Sequence, residues 1–289
     1  MKRTLVALLT LATALAASAE GVKIVFVAGP PSHGPGEHEY RAGCLLLKDC
    51  LDKVPGVVSE VYSNGWPKNP EAAFAGAATL VISCDGGKGH ALLQGDHLTA
   101  VSALMRKGVG LVCIHWAVEP TKEAGEKELL DWLGGCFEPY WSVNPIWHAE
   151  FKSLPKHPIT RGVSPFSITD EWYFHLRFRE GMKGVTPILS AVPPGSTMTR
   201  PDGPHEGNPA VRLAVQRGEP QVVAWAYERP DGGRGFGFTG GHYHRNWGND
   251  DFRKLMLNAI LWTAKAEVPA GGVECKITED DLKRNLDRK

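Results

Sequence analysis

Beyond the first twenty residues the chain has no uninterrupted apolar run of about 18 residues, so no membrane-spanning helix is expected there. It has no net charge, with 32 basic and 32 acidic side chains and no basic stripe, which argues against a nucleic-acid partner. G-x-S-x-G is missing, which speaks against a serine nucleophile on a strand-to-helix elbow. So is H-E-x-x-H, the helical zinc signature. Six cysteines occur without C-x-x-C or dense spacing, so disulfides are possible but are not expected to be the basis of the fold. Cys44 and Cys50 lie on different faces of one expected helix, about 9 Å apart along its axis, and should not pair. Cys84 and Cys113 sit inside apolar runs and read as buried thiols rather than nucleophiles, which need an accessible turn that favours the thiolate.

What is present begins with an export signature. Lys2 and Arg3 precede an apolar segment too short to span a bilayer, and Ala17-Ser18-Ala19 supplies a small-x-small cleavage pattern. A signal peptide over 1–19, cut near Ala19, is therefore expected. No cysteine follows the cut, so no lipid anchor is expected, and the mature chain should be periplasmic or secreted.

The rest alternates strand and helix patterns. "KIVFVAG" is a short buried strand, "GVVSEVYSN" a second that alternates as if half covered, and "ATLVISCDGG" and "VGLVCIHWA" are a third and fourth, both buried; the segments from Gly36, Asp96 and Glu126 have helical character. This order predicts an α/β fold with a mostly parallel sheet covered on both faces. From Phe137 to about Pro209 the sequence turns rich in proline, aromatics and histidine, and reads as long loops and short strands over one end of the sheet. "AVRLAVQRG", "PQVVAWAYER" and "GRGFGFTGG" read as late strands, the last two joined by a Pro-Asp-Gly-Gly turn. "DDFRKLMLNAILW" is the last long helix. One α/β domain over 20–268 and a loosely packed charged tail over 269–289 follow.

In such sheets ligands gather outside the carboxyl ends of the strands. His33 and His38 follow the first strand, Asp85 the third, His115 and Trp116 the fourth, and His242, His244 and Arg245 the last. "DEWYFH" places Glu171, Tyr173 and His175 two apart, on one face if extended. Histidine and carboxylate in one pocket suit proton transfer. His115 or Glu171 is the expected base and His242 the acid, with Tyr173 or Arg234 stabilising an oxyanion. His33, His38, Asp85, Trp116, His175, His244 and Arg245 are candidates for substrate contact. No cofactor is firmly implied. A divalent metal is an alternative, drawn from His33, His38, His115 and His242.

Taken in order, "HEYRAG", "LVISCDGG", "GVGLVCIHWA", "ITDEWYF", "GGRGFGFTGGHYH" and "FRKLMLNAILW" resemble the trehalose-utilisation, ThuA-like family from about Lys23 to Ala264. The resemblance implies a class I glutamine amidotransferase-like, flavodoxin-like three-layer fold and a role in carbohydrate utilisation. It carries over His115, Asp170 or Glu171, Arg234 and His242 as motif positions, without their roles. Where the amidotransferases place a nucleophilic cysteine this chain has His115, so glutamine hydrolysis is not expected. Two functions follow: an enzyme acting on a sugar, keto-sugar or glycoside, or a non-catalytic sugar-binding module. The module would stack sugar rings on Trp66, Trp116, Trp141, Trp147 and Trp247. A metal-dependent hydrolase is a third reading.

Overall fold

The computed structural model describes residues 21–63 and 65–289, so the expected signal peptide lies outside the described residues. A buried apolar run ending at a turn makes each central strand. The chain runs β1 (Val22–Ala28), α1 (Tyr40–Leu51), β2 (Val57–Tyr62), α2 (Pro70–Phe74), β3 (Ala77–Ser83), α3 (His97–Met105), β4 (Gly110–Ile114) and α4 (Glu126–Trp132). The short strands β5 (Gly135–Cys136), β6 (Ile146–Phe151), β7 (Phe166–Glu171) and β8 (Arg177–Phe178) follow, then β9 (Val185–Ala191) and α5 (Pro209–Gln216). Last come β10 (Gln221–Glu228), β11 (Arg234–Phe238), α6 (Asp250–Thr263) and α7 (Glu279–Lys283).

Seven strands form one sheet in the order β2-β1-β3-β4-β11-β10-β9. All pairings from β2 across to β11 are parallel; β10 alone is reversed. Successive side chains of a strand face opposite sides. Ile24, Phe26, Val112 and Phe236 therefore meet α1 and α6 in one apolar layer. Val25, Val27, Leu111 and Cys113 meet α2, α3 and α4 in the other. The result is the three-layer α/β arrangement expected from the alternation of patterns. Cys84 and Cys113 are buried and unpaired, and burial pushes the Cys84 thiol up to about 12. Among the described residues no helix is long and apolar enough to cross a membrane.

Three expectations change. "AVRLAVQRG" is helical, not a strand: Asn208 caps the amino end by accepting from Ala210 and Val211 N–H, and Pro209 begins the helix. Its Val211, Ala214 and Val215 are buried at helical spacing. Within 137–209, β9 leaves the draped region and becomes an edge of the main sheet. The tail is not loose. Cys275 is bonded to Cys50, Arg253 donates to the Cys275 carbonyl at 2.6 Å, and Val273 N–H donates to Asn258 at 2.8 Å. Cys44 is free and buried, and it does not pair with Cys50.

Candidate active site

Three strand ends and one ribbon end deliver the polar cluster. β4 stops at Ile114, and His115 begins a tight turn with φ of 56°. His33 (φ 61°) and His38 (φ 45°) lie in the loop after β1. Left-handed backbone costs a non-glycine residue on the order of 1 kcal/mol, and such strain concentrates at functional sites. Here three histidines with that backbone sit side by side. His242 follows β11, directly after Gly241, whose φ of 106° no L side chain adopts readily. Glu171 is the last residue of β7 in the ribbon it forms with β6.

Asp170 fixes the position of His242. Its fully buried carboxylate accepts from the N–H groups of Gly241 (2.8 Å), His242 (3.1 Å) and Glu171 (2.8 Å), and from the Asn246 amide (2.9 Å). Asp170 thus ties the loop after β11 to the end of β7 and leaves no lone pair facing the cluster.

His38, His115 and His242 are buried, and Glu171 is the cluster's partly exposed member. His38 Nε2 lies 2.9 Å from His242 Nδ1 and 3.1 Å from His115 Nε2. Glu171 Oε2 lies 3.4 Å from His115 Nε2 and 3.3 Å from His242 Nδ1. The Tyr173 hydroxyl is 3.1 Å from His115 Nε2. Each imidazole is also held from behind. His115 Nδ1 faces the Thr239 carbonyl at 2.7 Å. His38 Nδ1 faces the Tyr40 hydroxyl at 2.6 Å, and that hydroxyl donates to Asp85 at 2.8 Å. His242 Nε2 lies 3.7 Å from Glu37.

The environment separates the protonation states. Burial, the largest influence, pushes His38 down to about 3 and so keeps it neutral. Against the upward push of burial, His115 and His242 hold the Glu171 carboxyl well below the usual range, so it is ionised. Burial lowers His242, but Glu171, Asp170 and Glu37 outweigh it and raise its basicity. Burial and the Glu171 charge push Tyr173 well above the ordinary phenol range, so it remains an O–H donor at neutral pH.

His33 is exposed and stacks on the His38 ring at 3.7 Å between centroids, with the Trp116 edge 5.5 Å away. Both stand at the mouth of the cluster. Four sequence candidates do not reach it. Arg234 begins β11 and therefore sits at the opposite end of the sheet, donating to the Trp262 carbonyl at 2.9 Å. His175 lies past the end of β7, where φ of 55° breaks the two-residue alternation, and it faces the Trp141 carbonyl. His244 turns into its own buried site beneath the tail, and exposed Arg245 covers the Tyr243 ring. Tyr40 and the Thr239 carbonyl were missed. Tyr40 reads as the start of a helix, and a backbone acceptor carries no residue-type signal.

The sequence matches the ThuA family, described as trehalose utilisation, over residues 71–263. The chain belongs to the ThuA family. Two solved structures are similar in fold. A ThuA-like protein from Bacteroides uniformis aligns with a TM-score of 0.60 at 18% identity, covering 87% of this chain and 94% of that one. A ThuA-like protein from Parabacteroides merdae aligns with a TM-score of 0.56 at 14% identity, covering 90% and 94%. At such identities the likeness shows the fold alone. No curated protein sequence matches the chain.

Proposed function

We propose that this ThuA family member is an exported enzyme of carbohydrate utilisation that acts on a sugar, keto-sugar or glycoside by proton-transfer chemistry at the histidine–glutamate cluster. One observation carries the reading: three imidazoles and an ionised carboxylate, drawn from four separate elements, converge within hydrogen-bond reach at the carboxyl end of a parallel sheet. The inward-facing lone pairs, that of His115 Nε2 first, are the source of base strength. Glu171 is a weaker base, because its carboxyl is held so far below the working pH. It serves instead as the partner of His242, the acid. Tyr173, a hydroxyl that stays protonated, donates to the oxygen on which negative charge develops. His33 and Trp116 border the entrance and contact the sugar. The Cys50–Cys275 bond supports export, since structural disulfides persist in oxidising compartments.

A binding module that stacks sugars on tryptophan is less well supported. Trp147 and Trp247 are buried, and Trp66 is stacked on His97 at 4.0 Å, so those three offer no shared open groove.

The test is a screen of native and 3-keto disaccharides with product analysis by mass spectrometry, followed by His115→Ala. Turnover should fall by about 100-fold or more, the usual range for losing a proton-transfer group, with the circular dichroism spectrum unchanged. A folded variant that retains full turnover removes His115 from the mechanism. If the wild-type chain turns over no carbohydrate, the substrate class is wrong.

A further inference from the structure

The cluster is short of protons. His115 Nδ1 faces a carbonyl and must carry its hydrogen, which leaves Nε2 as a lone pair pointing inward. His38 Nδ1 faces a hydroxyl whose own hydrogen goes to Asp85, so His38 too presents a lone pair at Nε2. These two acceptor nitrogens face each other at 3.1 Å. The Glu171 oxygen, another acceptor, stands 3.4 Å from one of them. Only the Tyr173 hydroxyl and one His242 N–H can donate into the cluster, and neither lies on the His38–His115 edge. A single added proton would bridge one edge at a time. An ion at the centre serves every edge at once.

From this geometry we infer that His38 Nε2, His115 Nε2, His242 Nδ1 and Glu171 Oε2 form a binding site for one first-row divalent cation of the zinc type. The four residues each offer a ligand atom within 4.8 Å of the others. Bonds of about 2.0–2.1 Å in a tetrahedron require ligand–ligand edges of about 3.3–3.4 Å. Four of the six edges are 2.9, 3.1, 3.3 and 3.4 Å and need to open by at most a few tenths of an ångström, and the other two lie within 4.8 Å. Three nitrogens and one carboxylate oxygen suit zinc, cobalt or iron better than calcium or magnesium, which favour all-oxygen sites.

The outer partners fit as well. Metal-bound histidines almost always donate their second N–H to a carbonyl, carboxylate or other fixed acceptor. His115 does so to Thr239, and His38 to the Tyr40–Asp85 pair. Glu171 takes the place that the sequence suggested for His33. His33 instead groups with His38 and Asp85 on the solvent side, and covers the His38 ring.

The inference rests on the cluster being the reaction centre and deepens that reading. With the cation held, the inward lone pairs act through it. A cation expanded from four to five ligands would lower the pKa of a bound water toward neutrality, and the Tyr173 hydroxyl stands beside His115 Nε2 to hydrogen-bond it.

The experiment is metal binding without substrate, so it stands whether or not carbohydrate turnover is found. The purified full chain is stripped with a chelator and titrated with Zn2+ and with Co2+, whose visible spectrum reports coordination geometry. One equivalent should bind, with the intense bands of a four- or five-coordinate nitrogen–oxygen site. His38→Ala and His242→Ala should weaken Co2+ binding by more than about 100-fold, Tyr40→Phe by about 10–100-fold, and His33→Ala little. If the alanine variants unfold, Tyr40→Phe decides. The inference is overturned if the folded wild-type chain takes up neither ion at millimolar concentration. It is equally overturned if affinity is unchanged in folded His38→Ala, or in Tyr40→Phe where that variant decides.

Discussion

The two ends of the central strands treat polar side chains in opposite ways. At the amino end of β11, charged groups reach outward to carbonyls at the ends of helices. Arg234 donates to Trp262 in the last turn of α6. Arg229 donates to Met105 at the end of α3 (3.1 Å) and to Val109 (2.8 Å), with Asp231 at 3.0 Å from its Nε. Guanidinium groups at helix carboxyl termini add donors to the last carbonyls and interact favourably with the helix dipole. At the carboxyl end, His38, His115, His242 and Glu171 point at one another with more acceptors than hydrogens, and His38 and His115 do so on left-handed backbone. One end is resolved for stability. The other turns acceptors toward acceptors, the arrangement from which the cation site is inferred.

The sharpest way to break this contrast is Asp170→Asn. The amide nitrogen would replace one carboxylate oxygen and turn N–H groups toward that oxygen's two donors, Glu171 and His242 N–H on Oδ1 or Gly241 N–H and the Asn246 amide on Oδ2. Hydrogen bonds to a charged group contribute about 1.5–3 kcal/mol each, so a loss of about 4 kcal/mol in unfolding free energy is expected, with displacement of His242 and loss of turnover. Urea denaturation measures it; a loss below about 1 kcal/mol would show that the loop holds its place without Asp170.

A smaller effect comes from His90, a histidine near the carboxyl end whose ring is satisfied on both sides. Its Nε2 donates to the Ala117 carbonyl at 2.9 Å, and its Nδ1 accepts from Leu92 N–H at 3.0 Å. Burial pushes it from 6.5 down to about 4. Below pH 6.5 the unfolded chain takes up a proton that the folded chain refuses until about pH 4, so this stability is present above pH 6.5 and is lost as pH falls. Over that window the loss amounts to roughly 3 kcal/mol. Comparing the pH slope of stability in wild type and His90→Gln isolates it; equal slopes would mean that His90 does not stay neutral.

The smallest effect is expected at the other end. Arg234→Met should cost about 1 kcal/mol through the lost contact at the α6 terminus, and should leave turnover of a confirmed substrate unchanged. A large fall in turnover at unchanged stability would return Arg234 to the site and end the contrast.

Much of this was legible in the chain. Buried runs ending at glycine, aspartate or histidine located the strand exits, and His33, His38, Asp85, His115, Glu171, Tyr173 and His242 do gather there. Alternation of side chains holds only while backbone stays extended, and it fails at His175, where φ is 55°, and at His244, which opens a 3-10 turn. Arg234 was carried over as a position of the family-like motif, although the first residue of a five-residue strand lies at the opposite end of the sheet from the strand's exit. The helix α5 was taken for a strand because Val, Leu and Ala suit either element, and its Asn-Pro start decides for helix.

By itself, then, the sequence determined the alternation of strand and helix, the buried faces and the side of the sheet on which chemistry gathers, because hydrophobic period and turn residues act locally. Only the tertiary structure decided which polar groups meet. His38 and His242 are 204 residues apart, and Cys50 and Cys275 are 225 apart. No local preference encodes such contacts; they follow from strand order, and from the buried Asp170 that ties one loop to the end of another strand.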